Sequence, residues 1–307
     1  MPSASSSANE ILTGVSVQDA HLNLDPAVYA ANYNRIPFPF THNLHQMEIF
    51  QFDAICDLAA RYDTAYADFF IAESAATPGS AFFDAPQVHL KPKEAIAQLD
   101  ARPTRILLKR LENHDPQFRA LADGLIAELR SMPGGLGDLP IQRMQTSMFI
   151  SSAAATTPLH FDPEVNFFFQ IEGDKNYRVY PPTEVTEPEL ESFYSKGKVS
   201  IGQLDITKLN PEHENFYPLK AGLGFHQPQN APHWVQTGAS RSISYSIVFE
   251  TSSDRQLART RAFNHYERLL GMKPATPGEH PQVDAVKSEV AGPIGIARKV
   301  VDKLRKA

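Results

Sequence analysis

Cysteine occurs once in the 307 residues, at Cys56, so an internal disulfide framework is excluded and the chain suits a reducing compartment. There is no apolar stretch long enough to span a bilayer and no repeat of fixed period. Basic excess is missing too. The 29 Lys and Arg stand against 35 Asp and Glu, and a net charge of −6 offers no general affinity for nucleic acid or an anionic membrane. Met1 to Glu10 is rich in Ser and Ala but lacks the basic start and apolar core of a signal peptide; it reads as part of a flexible tail over 1–16. The expectation is a cytoplasmic protein with neither nucleic-acid nor membrane partners.

What is present is ordinary globular material, 42% hydrophobic and 21% charged, enough for one large domain with appendages. Val17 to Phe50 reads as loop-rich, interrupted by Pro26, Pro37 and Pro39, with His42 and His45 as surface or capping residues. Phe52 to Tyr62 has helical spacing, with Phe52, Ile55, Cys56 and Ala59 on one stripe, so Cys56 reads as a small packed residue and not a catalytic thiol. A strand over 67–72, a short helix over 93–100 and a strand over 105–111 follow. Asp115-Pro116 is a helix start, an N-cap followed by proline at the first helical position. Ile141 to Ile150 reads as a strand.

Thr157-Pro-Leu-His-Phe-Asp162 carries the chemistry. His160 and Asp162 are two apart, which on a strand puts both side chains on one face. They form either a hydrogen-bonded polar pair or two ligands of one metal. Asn166 to Ile171 reads as a buried strand, Gly173-Asp174 as a turn, and Lys175 to Tyr180 as a second strand; together they suggest a hairpin presenting His, Asp and a lysine to one cavity. A third ligand comes much later. His233 precedes the strand-like run Ser242 to Glu250 and is the preferred candidate, with His226 as its rival. Two imidazoles and one carboxylate, leaving three open positions, is the set expected of a non-haem Fe(II) oxygenase.

His160-Phe161-Asp162 followed by His233 resembles the HxD…H triad of JmjC/cupin-like (cupin_8) 2-oxoglutarate oxygenases. The stretch Asn166-Phe-Phe-Phe-Gln-Ile-Glu-Gly-Asp-Lys175, ending in Pro181-Pro182, is most similar to the branch of the asparaginyl hydroxylase that inhibits hypoxia-inducible factor. The likeness covers 147–182 and 222–250. It implies a mainly β fold, a double-stranded β-helix (cupin/jelly-roll) barrel with an N-terminal α/β preface and C-terminal helices. The oxygenase domain would span 17–250 with its barrel core over about 141–250, and 251–307 would be a helical extension. Within that extension, helices over 253–270 and 293–304 suggest a homodimer.

The resemblance also implies an activity, Fe(II)- and 2-oxoglutarate-dependent hydroxylation with O2 as co-reactant and succinate and CO2 as products. His160, Asp162 and His233 would hold the iron. Lys175 would meet the far carboxylate of 2-oxoglutarate and Thr157 would add a hydroxyl. Asn166 is a further contact, and Ser246 stands near Ser244 and Val248 where the relative carries a cosubstrate asparagine. The parity of the strand independently puts Lys175, Tyr177 and Val179 on one face, and a buried lysine requires an anion. The substrate would be a protein or peptide side chain or a small molecule, with Phe193, Tyr194, Phe216 and Tyr217 of the acidic 183–219 insertion as candidate contacts. The competing reading is a non-catalytic cupin-like metal-binding or regulatory protein.

Overall fold

The computed structural model describes residues 15–197 and 201–292. Two antiparallel sheets face each other. The larger has the order β1 (Leu22–Asn23), β2 (Phe38–His42), β11 (Leu223–Gln227), β7 (Val165–Glu172), β13 (Ser242–Thr251), β5 (Ile141–Ser151), β4 (Thr104–Lys109) and β3 (Phe69–Glu73). The smaller runs β10 (Asn215–Leu219), β8 (Lys175–Val179), β12 (His233–Thr237), β6 (Thr156–Phe161) and β9 (Gly202–Gln203). From β5 onward the chain passes back and forth between the sheets, which is the double-stranded β-helix expected of a cupin barrel.

This winding corrects the expected hairpin. β7 pairs with β11 and β13, whereas β8 pairs with β10 and β12, so the Gly173-Asp174 turn carries the chain from one sheet to the other. The cause is the two-sided burial of β7. Phe167 and Phe169 join the core beneath the helices, while Phe168 packs inside the barrel with Tyr177, Val179 and Phe225. A strand buried on both faces is a central strand, with no solvent face to fix a local partner. Gly173 makes the crossing with φ +69, and a Cβ there would come within 2.1 Å of the Arg241 carbonyl oxygen. Gly173→Ala is therefore expected to cost at least ~1–2 kcal/mol, read as a lower urea midpoint with an unchanged slope.

Helices cover the larger sheet. α1 (Pro26–Asn32), α2 (Phe52–Ala60), α3 (Pro92–Ala97), α4 (Leu111–His114) and α5 (Pro116–Ser131) precede the barrel. The Asp115 side chain accepts from Gln117 N at α5, as the Asp-Pro signal requires. Its Phe118 meets Phe50 and Tyr245 edge-on or tilted, locking helix to sheet. The loop reading of Val17 to Phe50 is corrected at β2, which pairs with β11. Pro39 is tolerated because β1 reaches only Thr41 and His42, leaving the far edge of 38–40 without a partner strand. His42 is buried and structural, its Nδ1 accepting from Leu44 N.

The acidic insertion contains a short helix. α6 (Glu187–Ser195) packs on α7 (Ser252–Leu269): Arg261 grips Glu187 through two hydrogen bonds of 2.8 and 2.9 Å, and Arg268 grips Glu191 at 2.6 and 3.1 Å. Phe193 and Tyr194 are buried by this packing against Phe161, whereas Phe216 is exposed under Arg178, and Tyr217 donates to the Pro37 carbonyl. The helix expected over 293–304 lies outside the described residues. No helix among the described residues is long and apolar enough to cross a membrane.

Candidate metal centre and its cleft

β6 and β12 lie side by side in the smaller sheet, and their register sets His160 directly opposite His233. The imidazole centroids are 4.1 Å apart. Asp162, just past the end of β6, reaches both: its carboxylate oxygens lie 3.9 Å from His160 Nε2 and 3.6 Å from His233 Nε2. Ligand atoms of the three residues fall within 4.8 Å of one another. No direct bond joins them, which leaves a central point for an ion.

The tautomers follow from the backbone. His160 Nδ1 is 2.8 Å from the Pro158 carbonyl and His233 Nδ1 is 3.1 Å from the Ala231 carbonyl. A carbonyl can only accept, so each Nδ1 carries the proton and each Nε2 turns a lone pair toward the shared point. Burial pushes both imidazoles down, His160 to about 4 and His233 to about 3, which keeps them neutral and able to ligate at physiological pH. Burial raises Asp162, opposed by His233 and by the Gln227 amide.

His226 is turned elsewhere. On β11 it sits opposite Phe167 and Phe38, stacks on Tyr33, and its Nε2 accepts from Asn34 N. Alternation explains the difference, since its neighbour Phe225 takes the barrel-facing position.

A cleft of about 330 Å³ opens over the triad. Thr157, Asn166, Lys175 and Ser246 all line it. Along β8, Lys175, Tyr177 and Val179 are buried while Asn176 and Arg178 are half-exposed. Lys175 is 5% exposed, donates to Ser244 Oγ at 2.9 Å, and faces the rings of Phe149 and Phe168. Among the described residues no carboxylate pairs with it, and burial pushes its ammonium down to about 7. The Asn166 Oδ1 is likewise buried without a partner. An ammonium without a carboxylate, in a cleft beside three metal-type donors, fits a chelating dicarboxylate and a divalent ion.

Two further residues support the triad. Tyr177 stacks nearly parallel on His233 and donates to Gln227 Oε1, and the Gln227 amide lies beside the Asp162 carboxylate and favours its charged form. Gln227→Leu is expected to weaken metal binding by about 10- to 100-fold with the metal-free circular dichroism spectrum unchanged, as a metal titration would read. Glu164, two residues beyond Asp162, is paired with Arg143 at 2.5 Å.

The cupin-like domain family matches residues 74–232, a span that takes in His160 and Asp162 and stops one residue short of His233. No curated protein matches the chain significantly. Solved structures of YcfD from Escherichia coli are similar. One aligns at 14% identity with a TM-score of 0.52, over 89% of this chain and 67% of that one. Another, described as a ribosomal oxygenase, aligns at 16% identity and a TM-score of 0.49, over 85% and 62%. A third, in complex with cobalt and 2-oxoglutarate, gives 16% and 0.49, over 85% and 61%. The chain thus spans roughly three fifths to two thirds of the length of these structures, and at such identity the likeness speaks to the fold.

Proposed function

The chain belongs to the cupin-like domain family, and from that premise we propose that it is an Fe(II)- and 2-oxoglutarate-dependent oxygenase that hydroxylates a protein side chain or a small molecule. The observation that carries this is a juxtaposition: His160, Asp162 and His233 converge on one point, and the cleft above them contains a buried lysine without a carboxylate.

The roles follow from the geometry. His160 and His233 would give neutral Nε2 donors and Asp162 a carboxylate, on one face of the ion. Lys175 would bind the distal carboxylate of 2-oxoglutarate, assisted by Thr157 on β6, across β12 from Lys175, and by Ser246 on β13. Asn166 would line the cosubstrate side of the ion. Iron bound there would, with 2-oxoglutarate and O2, supply the oxidant, converting substrate C–H to C–OH with release of succinate and CO2. The chain's own contribution is to hold the cosubstrate rigidly, keep both imidazoles in the ligating tautomer, and exclude water with the Phe149 and Phe168 walls.

Iron-dependent conversion of 2-oxoglutarate to succinate by the purified protein tests this reading, run together with iron-dependent 2-oxoglutarate binding. Binding and turnover with iron support it; metal binding without either points to the non-catalytic alternative. A homodimer through the C-terminal segment accords with Leu269, Leu270 and Met272 lying exposed there, and sedimentation of the full chain as a monomer would dismiss it.

A further inference from the structure

The cleft contains more positive charge than its own carboxylates neutralise. Arg105, Leu107 and Lys109 alternate along β4, so they share a face, and all three line the cleft beside the triad. Arg105 is 8% exposed. Its Nε donates to the Glu73 carbonyl at 3.3 Å, and its guanidinium lies 5.7 Å from the centre of the Phe82 ring, which itself packs 4.7 Å from the His160 ring. Its Nη2 is buried with no hydrogen-bond partner.

Among the described residues no carboxylate pairs with Arg105 or Lys109, and burial alone lowers both, Arg105 to about 10. The other cations of the cleft differ. Arg143 is matched by Glu164 and Arg110 by Asp68. Asp162 belongs to the metal and Lys175 to the cosubstrate. Two cations remain, one of them almost fully desolvated, and such groups are costly unless an anion meets them. A guanidinium with a free Nη2 is suited to a carboxylate or phosphate, and the adjoining walls of Phe70, Phe82 and Leu107 are apolar.

We propose that the primary substrate presents an anionic group, a carboxylate or a phosphate on an apolar body, to Arg105 with Lys109 beside it. The proposal rests on the oxygenase reading above for the place of the cosubstrate. Arg105 would then fix which end of the substrate enters first and how its C–H lies over the metal.

The test uses the full chain loaded with Mn(II) and saturated with 2-oxoglutarate, so that Lys175 is occupied. Benzoate and phenyl phosphate serve as probes, benzamide as the neutral control, all at constant ionic strength, with thermal unfolding and calorimetric titration as readouts. The expected result is stabilisation by one or both acids and none by benzamide. Arg105→Gln should weaken the acid by about 10-fold or more, with partial recovery in Arg105→Lys and a smaller loss in Lys109→Gln. The larger of the two acid responses identifies carboxylate or phosphate. Stabilisation by 2-oxoglutarate in Arg105→Gln shows that the variant is folded. The proposal is overturned if neither acid binds, if benzamide matches benzoate, if Arg105→Gln keeps the acid response, or if Arg105→Gln loses 2-oxoglutarate instead. Failure of 2-oxoglutarate to bind the wild-type metal-loaded chain would defeat the oxygenase reading separately, because the acid response would still report on Arg105.

Discussion

His160→Ala is expected to lower metal affinity by ~100-fold or more, taking the upper end of the loss typical of outer-shell changes as a floor for removal of a ligand itself. Metal-dependent 2-oxoglutarate binding and succinate formation should fall with it. The metal-free protein should fold normally, because the only hydrogen bond of the His160 side chain is to the local Pro158 carbonyl and its other contacts are ring packing with Phe82 and His233. His233→Ala should behave alike, whereas His226→Ala should leave metal content untouched and lower stability, since His226 is packed between Tyr33, Phe38 and Phe167. Metal stoichiometry in the purified variants, read alongside their unfolding midpoints, separates these two kinds of histidine.

Lys175→Met is expected to act in opposite directions on binding and on stability. A charge-assisted contact to a carboxylate is worth ~1.5–3 kcal/mol, so 2-oxoglutarate should bind roughly 10- to 150-fold more weakly. In the absence of ligand the methionine fills a similar volume without a desolvated ammonium, and the metal-free variant should be more stable than wild type by ~1 kcal/mol or more. The Ser244 hydroxyl keeps its acceptor on Gln170, so no buried group is stranded. The pH dependence follows. Burial lowers the Lys175 pKa from 10.5 to about 7 in the folded chain. Between about 7 and 10.5 the unfolded chain binds the proton that the folded chain has lost, so this group makes ligand-free stability rise with pH in that window. Below about 7 its desolvation cost is fully present. Binding of 2-oxoglutarate needs the ammonium, so affinity should fall as pH rises through the same window, and Lys175→Met should flatten that dependence. Titrations at pH 6.5, 8 and 9, chosen to span the window, check the sign.

The parts of the site that sequence could reach are those governed by strand parity. A spacing of two brought His160 and Asp162 to one side, and Lys175, Tyr177 and Val179 to one buried face, whatever the strands paired with. Pairing itself was out of reach. β7 is buried on both faces, so nothing local told it to leave β8 for β11 and β13, and the two-residue turn at Gly173 serves a sheet crossing as readily as a hairpin. His226 and His233 were both plausible ligands because each sits near a strand end; only the register, which aligns β12 with β6 and β11 with β2, separates them. Prolines concealed β2, and the buried state of Phe193 and Tyr194 depended on α7, far along the chain. Parity placed Tyr177 on the face of Lys175 but gave no sign of its role, and Gln227 gave no signal, because the stacking of Tyr177 on His233 and its hydrogen bond to Gln227 span 50 positions or more.

The most direct test of the account is an anaerobic titration of 2-oxoglutarate into the iron-loaded protein, followed by calorimetry and by the visible charge-transfer colour that a 2-oxo acid gives on chelating Fe(II). Saturable binding that requires iron, with the colour lost in His160→Ala and the affinity weakened in Lys175→Met, is the result the account predicts. Binding that ignores the metal, or iron binding that never recruits 2-oxoglutarate, would contradict it.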